Sequence, residues 1–270
     1  MYAFQYQRPA SVAAALELAR ADEEAKYLAG GMTLIPALKH RLASPSQLID
    51  LGRLPELQGC HRIGSEQQPL WRVGAGVRHA QLGLHQELSA ELPALAGLAL
   101  GIGDPQVRAR GTLGGSVANN DPAADYPSAL LALDAVVITD QRRIPAESFF
   151  LGMFTTALEP QEMITAVEFP VPRRAAYAKF PHPASGYAMA GVFVCETRAG
   201  AWRVAVTGVA SSVFRWGAAE SAITAGHPVP ALDRDDVLED MHAGGAYRAH
   251  LASVMLARAL SQLSQGALHQ

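Results

Sequence analysis

The sequence predicts an α+β protein of more than one subdomain, and three observations carry that reading. The chain has 270 residues, beyond the ~100–150 of a typical domain. Short strand-like runs alternate with helical periodicity at first, and a block of strands followed by helices comes later, the order of an α+β layer. Apolar residues make up 49% and charged residues 17%, against a usual charged share of about 25%. Such a chain can bury a large core and lacks the composition of a disordered one.

Ser11 stands as the N-cap of a first helix on which Val12, Leu16 and Ala19 share a face. Residues 26–29 read as a short strand running into Gly30-Gly31. A second helix is expected over 33–41, with Leu34, Leu38 and Leu42 at i, i+4 and i+8. Residues 47–51 form a strand that Gly52 ends, and 71–75 form another. Helices are expected over 79–88 and 92–100. Residues 101–127 read as a long irregular stretch, with glycine at 101, 103, 111, 114 and 115 and proline at 105, 122 and 127. Connections of that length are functional or disordered; Val107, Leu113 and Val117 predict that this one is ordered. Residues 129–133 continue as helix, and 135–139 and 163–169 as strands. Pro170-Val171-Pro172 and the Arg173-Arg174 pair mark a boundary. Strands at 177–180, 187–196 and 202–209 follow, then helices at 216–225 and 247–263. Leu251, Val254, Met255, Leu260 and Leu263 line one side of the last helix.

Charge and cysteine content exclude several classes. The net charge is −3, from 22 basic and 25 acidic residues. No Lys/Arg run exceeds two, so there is no footprint for a nucleic-acid backbone. Cys60 and Cys195 cannot form a disulfide framework and are too few for a four-thiolate iron–sulfur cluster. Cys195, in an apolar strand, reads as an inert buried thiol. The nine histidines contain no i, i+4 pair and no His-x-His, so no metal site is expected. The start has no basic segment leading into an apolar one, and no run of 18 apolar residues occurs. A cytoplasmic protein without a membrane span is expected.

Two loops carry the candidate chemistry. Ala29-Gly30-Gly31-Met32-Thr33-Leu34 lies between a strand and a helix. Gly111-Thr112-Leu113-Gly114-Gly115-Ser116 leads into Asn119, Asn120, Asp121 and Asp125. Glycine permits positive φ and close approach of backbone to a ligand. Successive N–H groups in such turns make anion-binding nests. Two such loops can grip a pyrophosphate from both sides, with Thr33, Thr112 and Ser116 adding hydroxyl donors. Asp125 and Asn119 suit sugar or ribityl hydroxyls. Paired glycines also occur in ordinary turns, and neither loop fits the Rossmann or Walker pattern. Arg108 and Arg110 flank the second loop, either solvated or facing a partner.

Beyond these patterns, the chain resembles the medium, FAD-binding subunits of molybdenum hydroxylases. The likeness is closest to aerobic carbon monoxide dehydrogenase flavoproteins and more distant to xanthine dehydrogenase flavin domains. The residues that carry it are AGGMTLIPALKHRLASP (29–45), LIDLGRLPEL (48–57), DPQVRARGTLGGSVANNDPAADYPSAL (104–130), the 162–170 strand, Tyr177-Ala178-Lys179 and Gly208-Val209-Ala210. The resemblance implies a two-subdomain FAD-binding fold of the vanillyl-alcohol-oxidase type (1–53 and 54–172), followed by a smaller α/β C-terminal domain (173–270). It implies that Ala29, Gly30, Gly31, Met32, Thr33 and Leu34 wrap the diphosphate together with Thr112, Gly114, Gly115 and Ser116. It places Asn119 and Asp125 at the ribityl and phosphate region, Ile102 over the flavin ring, Ile164 and Lys179 as further flavin contacts, and Tyr187 beside the isoalloxazine. Two departures stand out: Gly186 in Pro181-His182-Pro183-Ala184-Ser185-Gly186-Tyr187, where relatives often have Asp, and Met32, where a polar residue is common.

The resemblance also implies a role. The chain would carry FAD and pass electrons from the [2Fe-2S] centres of a small partner to an external acceptor. Substrate would be oxidised at a large molybdenum-cofactor partner, in a dimer of heterotrimers. Carbon monoxide is the first expected substrate; N-heterocycle and aldehyde hydroxylases are alternatives, as is a free-standing FAD oxidoreductase. No catalytic residue is expected in this chain. Peripheral attachment at the inner membrane face is an alternative to a free cytoplasmic location.

Overall fold

The computed structural model describes residues 1–266. The N-terminal segment contains β1 (Gln5–Gln7), α1 (Val12–Ala21), β2 (Lys26–Leu28), α2 (Leu34–Lys39) and β3 (Gln47–Asp50). Its strands form a parallel sheet in the order β1-β3-β2, with Gln5 opposite Gln47 and Lys26 opposite Leu48. Ser11 caps α1, its hydroxyl accepting the Ala14 N–H at 3.2 Å. That helix buries Ala15 and Ala19 on Ile49, Leu51, Leu54 and Leu57.

The middle segment opens with β4 (Cys60–Gly64), β5 (Pro69–Gly74), α3 (His79–Gly83), α4 (Gln86–Glu91) and α5 (Pro93–Leu100). It continues through α6 (Pro105–Arg110), α7 (Leu113–Asn119), α8 (Tyr126–Ala132), β6 (Val136–Thr139), β7 (Arg143–Pro145), β8 (Phe150–Gly152), β9 (Thr155–Thr156) and β10 (Ile164–Pro170). Its main sheet is antiparallel, in the order β4-β5-β10-β6-β7.

The C-terminal segment has β11 (Arg174–Pro181), β12 (Ala188–Glu196), β13 (Trp202–Thr207), β14 (Phe214–Arg215), α9 (Gly217–Ala225) and α10 (Gly245–Gly266). Its antiparallel sheet follows sequence order. Every residue of β12 is buried, because layers cover both faces, which is why that strand reads as an unbroken apolar run. On one face Phe193, Cys195 and Ala205 join the core of the middle segment, with Tyr126, Leu130 and Phe149. On the other, Val192, Val194, Val204 and Val206 pack under Leu251, Met255 and Leu256 of α10. Cys195 is fully buried, burial pushes its thiol pKa up to about 12, and it has the inert character expected.

Several local expectations need correction. The second helix stops at Lys39 rather than Arg41; Arg41 takes φ +59°, and Leu42 turns into solvent instead of continuing the apolar face. The expected 79–88 helix is two helices, interrupted at Leu84-His85, where the His85 side chain caps α4. The 101–127 stretch is ordered, as Val107, Leu113 and Val117 predicted, but it is not irregular. It contains α6 and α7, capped by Asp104 and Thr112. Strands β1, β4, β7, β8, β9 and β14 had no expectation at all; most are short or polar, and pairing rather than local pattern holds them.

Candidate functional site: a cleft shared by two glycine loops

A cleft of about 1300 Å³ runs between the N-terminal and middle segments, larger than the ~300–1,000 Å³ of ordinary small-molecule pockets. Both glycine loops line it. Their meeting point is a backbone-to-backbone contact: a Cβ added at Gly30 would sit 2.3 Å from the Arg110 carbonyl oxygen and 2.8 Å from Gly111 Cα. Only glycine allows that approach.

The first loop is open to the cleft. Gly31 takes φ +76°, which turns the chain from β2 into α2. The N–H groups of Gly30, Gly31, Met32, Thr33 and Leu34 have no acceptor among the described residues. Ala29 and Leu34 flank them on the cleft wall, and Met32 is 41% exposed.

The second loop is a structural joint. Leu113 N–H donates to Val77 O and Gly114 N–H to Ala75 O, both at 2.9 Å. Gly115 N–H donates to the Thr112 hydroxyl at 3.2 Å. Gly114 packs on β5's end: a Cβ there would lie 2.5 Å from Ala75 Cβ. What this loop offers the cleft is therefore mostly side chains and surface: of the N–H groups from Gly111 to Ser116, Thr112's alone lacks an acceptor among the described residues. Exposed Gly115 and half-buried Ser116 and Asn119 lie on the cleft side of α7. Neither the Ser116 hydroxyl nor the Asn119 amide has a hydrogen-bond partner among the described residues.

Ile102, Ile164, Tyr187 and Asp125 also line the cleft, the Ile102 and Tyr187 segments meeting at Gly103 and Gly186. Asp125 is buried and accepts from Tyr177 Oη at 2.5 Å and Lys179 Nζ at 3.0 Å. Burial pushes its carboxyl pKa upward; the Lys179 ammonium and the Tyr177 hydroxyl oppose that shift. The segment leading into Ile164 is fixed by Glu162, whose carboxylate takes Arg142 Nε at 2.9 Å and Nη2 at 2.8 Å, the Thr139 hydroxyl at 2.7 Å and the Glu159 N–H at 2.7 Å. The Arg142 pairing foremost holds its pKa down at about 2.

Every candidate residue from the sequence therefore borders one cleft except Lys179, which lies behind Asp125 rather than on the wall. Sequence reasoning missed His79. It is buried behind the second loop, its Nδ1 sits 3.1 Å from Tyr126 Oη, and a Cβ at Gly111 would meet its Nε2 at 2.5 Å. Burial, then Arg108, lowers its pKa to about 4, so it is neutral. Its position directly after a strand and turn was the available signal. Arg108 is neither idle nor simply solvated: its Nη1 donates to Ile102 O at 3.0 Å and Gly103 O at 2.7 Å. Among the described residues no group of three or more His, Cys, Asp or Glu could hold a metal ion, and no helix is long and apolar enough to cross a membrane.

The arrangement defines a cleft for an extended anionic ligand: a row of unpaired N–H donors beside hydroxyl and amide groups, with an apolar far wall. The chain belongs to the family described as the FAD binding domain in molybdopterin dehydrogenase, whose model matches residues 2–172. It is 34% identical to the carbon monoxide dehydrogenase medium chain of Hydrogenophaga pseudoflava, and 32% identical to the nicotine 6-hydroxylase medium subunit of Paenarthrobacter nicotinovorans, covering 96% of each chain in both cases. Among solved structures it is similar to a cyanide-inactivated Cu,Mo-CO dehydrogenase (TM-score 0.84, 32% identity, 96% of each chain). Quinoline 2-oxidoreductase from Pseudomonas putida 86 is also similar (TM-score 0.87, 26% identity, 98% of each chain).

Proposed function

We propose that this chain is the FAD-carrying electron-transfer subunit of a molybdenum hydroxylase complex. The observation that carries the reading is the contact of Gly30 with Arg110 and Gly111, which brings two distant glycine loops to one cleft. The residues fit FAD: the unpaired N–H row from Gly30 to Leu34 suits phosphate oxygens, and a cleft of about 1300 Å³ has room for a dinucleotide. Bound FAD supplies one- and two-electron transfer; the protein binds, orients and tunes it. Gly30 to Leu34 and the hydroxyls of Thr33 and Ser116 hold the diphosphate. Asn119 presents its amide to sugar or ribityl hydroxyls. Ile102 and Ile164 keep water from the ring, and Tyr187 flanks it. Asp125, held by Tyr177 and Lys179, keeps a fixed carboxylate under that end.

The proposed domains are 1–53, 54–172 and 173–270, supported by each main sheet drawing its strands from one of these segments; the first two correspond to the vanillyl-alcohol-oxidase type. The proposed partners are a large molybdenum-cofactor subunit and a small [2Fe-2S] subunit in a dimer of heterotrimers, with electrons leaving to an external acceptor. The location is cytoplasmic, or peripheral at the inner membrane face. Carbon monoxide is the first substrate proposed for the complex. An N-heterocycle is the second, favoured by the likeness to the nicotine subunit in sequence and to the quinoline enzyme in fold. The purified complex should show flavin absorbance, contain molybdenum and iron, and reduce its flavin when given substrate. A complex that lacks flavin would overturn the reading, and one oxidising only nicotine-like rings would select the second substrate.

A further inference from the structure

We infer that Lys179 is a positioning residue that seals the Ile102–Tyr187 end of the cleft, so that the C-terminal segment completes the FAD site. The inference rests on the FAD reading above. The family model ends at residue 172, yet one wall of this end comes from beyond it. Lys179 Nζ lies 2.8 Å from Gly101 O, 3.1 Å from Gly186 O and 3.0 Å from the Asp125 carboxylate, and its side chain is 10% exposed. An ammonium has three donors, and here all three have acceptors on separate segments. Gly101 precedes Ile102, and Gly186 precedes Tyr187, two residues that line the cleft.

The two loops also touch. Gly186 takes φ +72°, and a Cβ on it would meet Gly103 Cα at 3.4 Å. A side chain at Gly186 would be strained at that φ while its Cβ made ordinary contact with Gly103. Arg108 ties Ile102 and Gly103 to α6 from within the middle segment; Lys179 supplies the tie from outside it. Tyr177, two residues earlier on β11, points to the same side of the strand and donates to the same carboxylate. One charge pair thus fastens β11 to the cleft floor, while the remaining two donors hold the walls together.

The test uses the full chain, with hydrogen exchange read by mass spectrometry and FAD affinity by fluorescence titration. Lys179→Met should speed exchange in residues 101–103 and 186–188 together and weaken FAD about tenfold or more, the worth of one or more charge-assisted hydrogen bonds. Lys179→Cys alkylated with 2-bromoethylamine, which rebuilds an ammonium on a stem of equal length, should recover both properties. Asp125→Asn removes the charge partner but leaves both carbonyl acceptors, and should loosen the two segments less than Lys179→Met does. Unchanged exchange in Lys179→Met, loosening of one segment alone, failure of the alkylated variant to recover, or equal loosening in Asp125→Asn would each overturn the inference. A wild-type chain that takes up no FAD would instead sink the cofactor reading, while the exchange arms still decide the role of Lys179.

Discussion

The two glycine loops share a sequence style and differ in their work. The first, residues 29–34, leaves its N–H groups unpaired and its side chains partly exposed. The second, residues 111–116, spends all its N–H groups but that of Thr112 on Val107, Val77, Ala75 and its own threonine cap. Its glycines are there for close packing: Gly111 against His79, Gly114 against Ala75. A glycine pair is thus evidence for close approach of backbone to something, and in both loops that something includes the protein itself: Gly30 on Arg110 and Gly111, Gly114 on Ala75. The loops differ in how many N–H groups that packing leaves unpaired. The two loops meet tightest where Gly30 lies on Arg110 and Gly111.

The sharpest way to break this division is Gly30→Val. Its Cβ meets a backbone carbonyl that has no route to move without dragging α6, so the loops part. The variant should retain no measurable FAD, read as the ratio of flavin to protein absorbance. FAD bound at wild-type affinity would mean that the contact does not organise the cleft. Next in size is a pH effect on the second loop's support. Neutral His79 has a folded-state value near 4 against an ordinary 6.5. The unfolded chain therefore binds the proton more readily, and stability is fully present above pH ~6.5 and is lost as pH falls toward 4. The loss amounts to ~3 kcal/mol at the acid end. Urea unfolding at pH 7 and pH 5 should show a smaller drop for His79→Gln than for the wild type; equal drops would remove His79 from the account.

How much of this was legible in the sequence follows from the same contrast. Helix α1 and the strands around β12 could be read because Ser11 caps locally and apolar runs mark burial. The cleft-lining residues from Ala29 to Leu34 and from Thr112 to Ser116 were legible as glycine and hydroxyl clusters. What was not legible depended on distant neighbours. Leu42 fits the apolar face of α2 but lies past the left-handed Arg41. Strand β4 carries exposed polar residues and exists through pairing with β5. Lys179 was expected at the flavin, yet its charge is drawn to Asp125 and two carbonyls. Which donors of a loop stay free is decided by what packs behind it, and Ala75 and Val77 are more than thirty residues away in sequence from Gly111.

Two adjacent glycines then separate packing from ligand contact. Gly114→Ala drives a Cβ to within 2.5 Å of Ala75 and should cost ~1–3 kcal/mol in unfolding free energy, as overpacking does. Gly115→Ala meets only the Thr112 hydroxyl at 2.9 Å and Ala29 at 4.0 Å. The helix propensity gained, up to ~1 kcal/mol, offsets the shift forced on the Thr112 cap, so stability should fall less than in Gly114→Ala, while FAD binds less well because the methyl stands on the cleft side. A matched loss of stability in the two variants would erase the distinction between the loops.

The finest test concerns the side chains that the second loop's helix presents. Ser116 and Asn119 border the cleft without hydrogen-bond partners among the described residues. If their polar groups serve a ligand, removing one costs nothing in the ligand-free chain and about 0.5–1.5 kcal/mol on binding, the net worth of one hydrogen bond. Ser116→Ala and Asn119→Ala should therefore leave the thermal midpoint of the FAD-free protein unchanged. Each should raise the dissociation constant for FAD roughly two- to tenfold, as read by fluorescence titration. Because the two sites lie one helical turn apart, a double variant whose losses add would show that they meet different parts of an extended ligand, since neighbours sharing one partner group couple. A fall in stability with no change in affinity would show that these side chains serve α7 itself, and the second loop would then contribute nothing to the cleft but its backbone surface.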